Sequence, residues 1–134
     1  MEKKGFTLIE ILVVITIIAV LTAIAVISYS STQKNARDAR RKGDMRTIQN
    51  AFEQYYSDNV SKYPTTELEV ASYLPGGYPI DPKDPTSAYT RTTFSTTAYC
   101  VCAELDNPSG NSSDTNCTFA TGSQPFYCVK NLQR

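Results

Sequence analysis

Two features near the start of the chain carry chemistry: the Gly5–Phe6 peptide bond and the carboxylate of Glu10. Glu10 stands near the head of a hydrophobic run, and from Ile11 to Gln33 there is no charge at all. A carboxylate at membrane depth is costly and needs a partner, yet the run itself offers no basic side chain. One cation can be made. Cutting after Gly5 frees the α-amine of Phe6, and an ordinary α-amine, with a pKa of about 7.7, is largely protonated at neutral pH. Within one chain the two charges lie about a helical turn apart. Between chains packed in parallel with a stagger, each Glu10 meets a neighbour's Phe6 amine, which links assembly to the burial of charge.

Four cysteines, Cys100, Cys102, Cys117 and Cys128, offer a second chemistry. They admit three pairings. Cys100 and Cys102 point to one face of a strand, and joining them to each other would strain it. The favoured pairing is Cys102 with Cys117 and Cys100 with Cys128, two staples across adjacent strands worth about 2–4 kcal/mol each. A four-cysteine zinc site is the competing reading, but the spacing lacks paired C-x₂₋₄-C knuckles. Asp81 and Asp84, with Asp106 or Asp114, are weak calcium candidates; aspartate beside proline more simply makes turns, so no cofactor is expected.

Lys34 to Arg46 holds six basic and two acidic residues, and from Thr47 onward there are five basic and nine acidic. The cluster of Lys34, Arg37, Arg40, Arg41, Lys42 and Arg46 can meet lipid phosphates or nucleic acid. Asp38 and Asp44 interleave with it, which suits salt bridges between neighbouring helices, so a solvated or intersubunit face is expected and nucleic acid is not. The basic collar and acidic distal end attract head to tail. The sequons at Asn59, Asn111 and Asn116 carry little weight. There is no histidine, and no G-x-S-x-G, P-loop or dinucleotide fingerprint appears, so no enzyme activity is expected.

The apolar run is long enough to span a bilayer as a helix, which takes about 20 residues. It contains no proline or glycine after Gly5, and Thr16 and Thr22 can bond back to the preceding turn. Met45, Ile48, Phe52 and Tyr55 recur at helical spacing, so one continuous helix is predicted from about Phe6 to about Asp58, with Gly43 as the likeliest bend. A short helix is expected within Thr65–Leu74, capped by Thr65-Thr66-Glu67 and facing inward through Leu68, Val70, Ala71 and Leu74. The proline- and glycine-rich stretch 75–85 is loop. Strands are expected at about Thr97–Glu104, Cys117–Thr121 and Phe126–Lys130, with one more available at Tyr89–Phe94. Asp106–Asn116 reads as a polar loop, and nine tyrosines are expected to cover the helix and fill a thin sheet interface.

Gly5-Phe6-Thr7-Leu8-Ile9-Glu10, after a short basic leader, resembles the prepilin-type start of the type IV pilin and pseudopilin family. A second, separate resemblance covers Ala51–Asn59 and Tyr63-Pro64-Thr65-Thr66-Glu67, the helix-to-loop junction of major pseudopilins; the family's asparagine-glycine turn is replaced by Asn59-Val60. The resemblance implies an α+β fold, a long N-terminal helix packed on a small antiparallel sheet. It implies that a prepilin peptidase cuts between Gly5 and Phe6, that the Phe6 amine is methylated, and that Glu10 guides docking into a homo-oligomeric filament. It further implies an assembly ATPase and a platform membrane protein as partners, and calcium in the distal loops of some members. The expected division is a leader at 1–5, a membrane and assembly helix at 6–33, and an extracytoplasmic domain at 34–134. The positive-inside rule alone leaves orientation open; the cysteines favour an oxidising exterior with the N-terminus cytoplasmic. A monomeric membrane-tethered binding module is the rival reading.

Overall fold

The computed structural model describes residues 5–133, with the side chains of residues 26–28 left aside. The expected leader therefore lies outside the described residues, apart from Gly5. The chain divides into two compact units, the first ending at Lys34 and the second beginning at Asn35.

One helix, α1, runs Leu8–Asp58 and passes through Gly43 without interruption. Thr16 and Thr22 donate their hydroxyls to the carbonyls of Val13 and Ile18, both at 2.8 Å, so neither breaks the helix. The helix ends where Asn59 donates both its backbone N–H and its side-chain amide to the Tyr55 carbonyl, each at 2.9 Å. Val60 and Ser61 then turn left-handed, with φ of 53° and 56°.

In the second unit the inward face of α1 is Met45, Ile48, Ala51 and Phe52, all buried. Tyr55, expected on that face, is half-buried against Tyr73. The helix packs on a five-stranded sheet of order β1-β2-β5-β3-β4: β1 Thr90–Phe94, β2 Tyr99–Glu104, β3 Gly110–Ser112, β4 Phe119–Gln124 and β5 Phe126–Lys130. Neighbouring strands are antiparallel. Alternation along β2 sends Tyr99, Val101 and Ala103 into the core with the helix, and Cys100 and Cys102 to the other face with Cys128. Phe52, Phe94, Tyr99, Tyr63 and Tyr56 form a chain of ring contacts with centroids 4.5–5.3 Å apart.

Three expectations need correction. The stretch 106–116 is not all loop, because Gly110–Ser112 forms β3. Its polar residues pair because Gly110 lies against Phe126, where a Cβ would run into that residue's carbonyl. The strand expected at Cys117–Thr121 lies further on, at Phe119–Gln124, since Cys117 sits in a left-handed turn with φ 56°. The short helix is a 3₁₀ turn, Leu68–Tyr73, and the Thr65 and Thr66 hydroxyls do not cap it. Instead the Glu69 carboxylate accepts the N–H groups of Thr65 and Thr66. Three residues per turn put Val70 and Tyr73 on the inner edge and leave Leu68 and Ala71 exposed.

Candidate functional site

Phe6, just before α1, and the apolar side chains from Leu8 to Ala25 along its first part are exposed. This is the one helix among the described residues long and apolar enough to cross a membrane. Glu10 sits at its head. Thr7 precedes the helix and donates its backbone N–H and its hydroxyl to Glu10 Oε2, each at 2.8 Å. Glu10 in turn donates its backbone N–H to the Thr7 hydroxyl at 3.3 Å. The pair is a capping box, T-x-x-E, satisfying donors that a helix N-terminus leaves open. The sequence carries that signal in Thr7-Leu8-Ile9-Glu10, where it stands beside the larger anomaly of a carboxylate in an apolar run. Only Oε2 is used; Oε1 accepts no hydrogen bond among the described residues.

Half of the basic collar is the solvated face expected: Lys34, Arg40 and Arg46 are exposed, whereas Arg37, Arg41 and Lys42 turn to the chain's own loops. Arg41 is buried, and its guanidinium reaches Asp81 at 2.8 and 3.0 Å, Asp38 at 3.0 Å and Asp106 at 3.5 Å. Asp38 is also buried and accepts the backbone N–H groups of Asp106 and Asn107 at 2.8 and 2.9 Å. Arg37 pairs with Asp106, and Lys42 donates to the Ser109 carbonyl at 2.9 Å. Arg37, Asp38, Arg41 and Lys42 thus fasten two loops to their own helix. Burial pushes the Asp81 carboxyl up, but Arg41 and the Lys83 N–H outweigh it and hold it below the usual carboxylate range. Asp106 is likewise held low against burial, by Arg37 and Arg41. Spacing on α1 puts Arg37, Asp38 and Arg41 on one face, yet nothing local says which loops would meet it.

Higher on α1, Glu53 Oε1 accepts hydrogen bonds from the Tyr63 hydroxyl, the Tyr99 hydroxyl and the Leu132 N–H at 3.0, 3.1 and 3.0 Å. Burial, together with this carboxylate, pushes the Tyr63 hydroxyl up to about 12. Sequence reasoning missed Glu53, whose partners come from three distant segments.

All four cysteines are in disulfides, Cys100–Cys117 and Cys102–Cys128. The favoured pairing was the wrong one of the two inter-strand choices. The β2–β5 register sets Cys102 directly opposite Cys128, with Cα atoms 4.1 Å apart, and sets Cys100 opposite Lys130. Cys117 lies in a turn held by the Asp114 carboxylate, which accepts the Asn116 and Thr118 N–H groups at 2.9 and 3.3 Å. That turn carries Cys117 to the remaining partner, Cys100. With every sulfur bonded, no thiolate is free for zinc.

The weak calcium candidates are used otherwise. Both Asp81 oxygens face Arg41, and Asp84 Oδ1 accepts the Thr86 N–H and hydroxyl at 3.1 and 2.6 Å. The cleft of about 250 Å³ that they share is also lined by Arg41 and Lys83, which repel a cation. Of the three sequon asparagines, Asn111 is tied at both ends of its amide to the Cys128 backbone.

Residues 1–26 match the model of the prokaryotic N-terminal methylation motif. This is the prepilin-type signal of type IV pilins and pseudopilins. No curated protein matches the chain. The pilin-type signal covers Gly5, Phe6 and Glu10 together with most of the exposed apolar helix, and the long helix on a small antiparallel sheet is the architecture that signal leads one to expect. The signal points to a structural protein, and the single long apolar helix fits a membrane anchor.

Proposed function

We propose that the protein is a structural subunit of a type IV pilus or related pseudopilus. It polymerises through α1 once a prepilin peptidase has cut between Gly5 and Phe6 and the new Phe6 amine has been methylated. In this reading the subunit waits in the membrane with its N-terminus cytoplasmic and its disulfide-bearing domain outside. An assembly ATPase and a platform protein extract the helix in this reading, the sequence carrying no P-loop fingerprint.

One observation carries the reading: an apolar helix exposed along its first part, headed by a carboxylate whose Oε1 accepts no hydrogen bond among the described residues. The helix N-terminus already bears about half a positive charge from its aligned peptides. Adding the Phe6 amine leaves each cleaved chain with an excess of positive charge beside a single carboxylate. When helices pack in parallel with a stagger, a neighbour's Glu10 Oε1 accepts a hydrogen bond from that amine, and the same contact removes the apolar surface from lipid.

Fibres sheared from cells and examined by mass spectrometry test this. A chain beginning at methylated Phe6 is expected. Glu10→Ala should leave the protein in the membrane and remove it from the sheared fraction. A membrane-tethered monomeric module would instead retain its N-terminal Met1 or be indifferent to the substitution, and either result overturns the proposal.

A further inference from the structure

We infer that Asn116 is an acceptor for an N-linked sugar. The inference rests on the exported position of the globular domain in the filament reading, and not on polymerisation itself. Three N-x-[ST] sequons occur, at Asn59, Asn111 and Asn116. A sequon carries meaning where it lies in a surface loop of an exported domain. The structure separates the three on that criterion. Asn59 is half-buried, and its amide donates to the Tyr55 carbonyl at 2.9 Å where α1 ends. Asn111 is half-buried within β3; its amide donates to the Cys128 carbonyl at 2.9 Å and accepts the Cys128 N–H at 2.7 Å. A sugar on either nitrogen would grow from a half-buried amide already docked on a carbonyl. Asn116 and Thr118, by contrast, are both exposed in the turn between β3 and β4.

The turn presents the pair together. Asp114 accepts the Asn116 N–H at 2.9 Å, the Thr118 N–H at 3.3 Å and the Thr118 hydroxyl at 2.9 Å. One carboxylate thus holds both recognised residues of the sequon in a single bend at the surface. Cys117, between them, is fixed by its bond to Cys100, so the bend persists in the folded domain. A hydroxyl that donates keeps its lone pairs, which leaves Thr118 open to a donor from a transferase. The co-substrate is a sugar carried on a polyprenyl phosphate. Asn116 Nδ2 bonds to the anomeric carbon as the bond from that carbon to the phosphate oxygen breaks. The lipid phosphate leaves with the electron pair, and the amide proton passes to solvent. The position also has a use. β4 follows directly, forms one edge of the sheet and is exposed along most of its length. An open edge invites pairing with a foreign strand, and a bulky hydrophilic group rooted just before it blunts that edge.

The test is mass spectrometry of the full chain purified from the cells that produce it, with electron-transfer fragmentation to locate added mass. A sugar on Asn116 is expected in the parent and in Thr118→Ser, which keeps the hydroxyl. It should be lost from Asn116→Gln and from Thr118→Ala. Added mass is read on the denatured chain, so poor folding of a variant does not obscure it. A bare Asn116 in the parent, a sugar at Asn59 or Asn111 in its place, or a sugar that persists in Thr118→Ala overturns the inference. The same spectra read the N-terminus. Methylated Phe6 with bare Asn116 leaves the pilus reading standing and removes this one. A chain glycosylated at Asn116 that still begins at Met1 does the reverse.

Discussion

Arg41 and Asp81 are 40 residues apart in sequence and meet through two hydrogen bonds, Nε to Oδ2 at 2.8 Å and Nη2 to Oδ1 at 3.0 Å. The pair fixes the proline-rich loop to α1, and the same guanidinium also serves Asp38. Removing one partner of a buried pair leaves the other charge stranded. Arg41→Ala should therefore cost about 3 kcal/mol in denaturant unfolding. Arg41→Lys should cost less, since it keeps the charge and loses only the planar fork.

Acid should undo the same network. Asp81 and Asp106 have carboxyls held below their usual range in the folded protein. Groups lowered on folding contribute stability that is complete above the unfolded value near pH 4 and fades as pH falls through the folded value. Unfolding free energy should thus be level from about pH 7 to pH 5 and decline below about pH 4. In Arg41→Ala that decline should be shallower. An equal slope in both proteins would show that other carboxylates set the acid limit.

Much of this fold was legible in sequence, and the limits have physical causes. Met45, Ile48 and Phe52 announced their helix face by spacing, and Tyr99 and Val101 against Cys100 and Cys102 announced the two faces of β2, because both signals are local. The disulfide partners were not legible, since pairing depends on β2–β5 register and on the turn at Cys117, neither of which a spacing encodes. The burial of Arg41 and Asp38 was hidden for the same reason: the charges on α1 read as collar until two loops arrive to claim them. At the assembly end, Gly5, Phe6 and Glu10 stood out at once, whereas the Thr7–Glu10 capping box went unread beside the stronger anomaly of a carboxylate in an apolar run.

The disulfide assignment can be checked by freeing single sulfurs. Cys117→Ser should leave a thiol on Cys100, and Cys128→Ser one on Cys102, as located by alkylation and tandem mass spectrometry. Removing either bond should lower stability by about 2–4 kcal/mol. A thiol appearing on Cys102 in Cys117→Ser would restore the alternative pairing.

Gly110 reports on β3. A Cβ there would meet the Phe126 carbonyl, and that backbone cannot swing away without breaking the contact between β3 and β5. Gly110→Ala should cost about 3 kcal/mol, at the upper end for overpacking. Gly76 has nothing within 4 Å of its added Cβ, and its φ is not left-handed. Gly76→Ala should accordingly leave the melting temperature within about 2 °C of the parent, which corresponds to a change of a few tenths of a kcal/mol.

Val60 offers the opposite sign. It occupies a left-handed conformation, φ 53°, directly after α1, where its branched Cβ crowds the backbone. Its side chain is 87% exposed, so almost no packing offsets that strain. Glycine relieves the steric conflict, worth about 1–2 kcal/mol, at an entropic cost of about 0.5–1 kcal/mol in the unfolded chain. Val60→Gly should hence stabilise the protein by about 0.5–1 kcal/mol in denaturant unfolding, with the slope against denaturant unchanged. Val60→Ala, which keeps a Cβ, should gain less. Destabilisation by glycine would mean that the turn after α1 is held by contacts of the Val60 side chain and not by the Asn59 amide on the Tyr55 carbonyl.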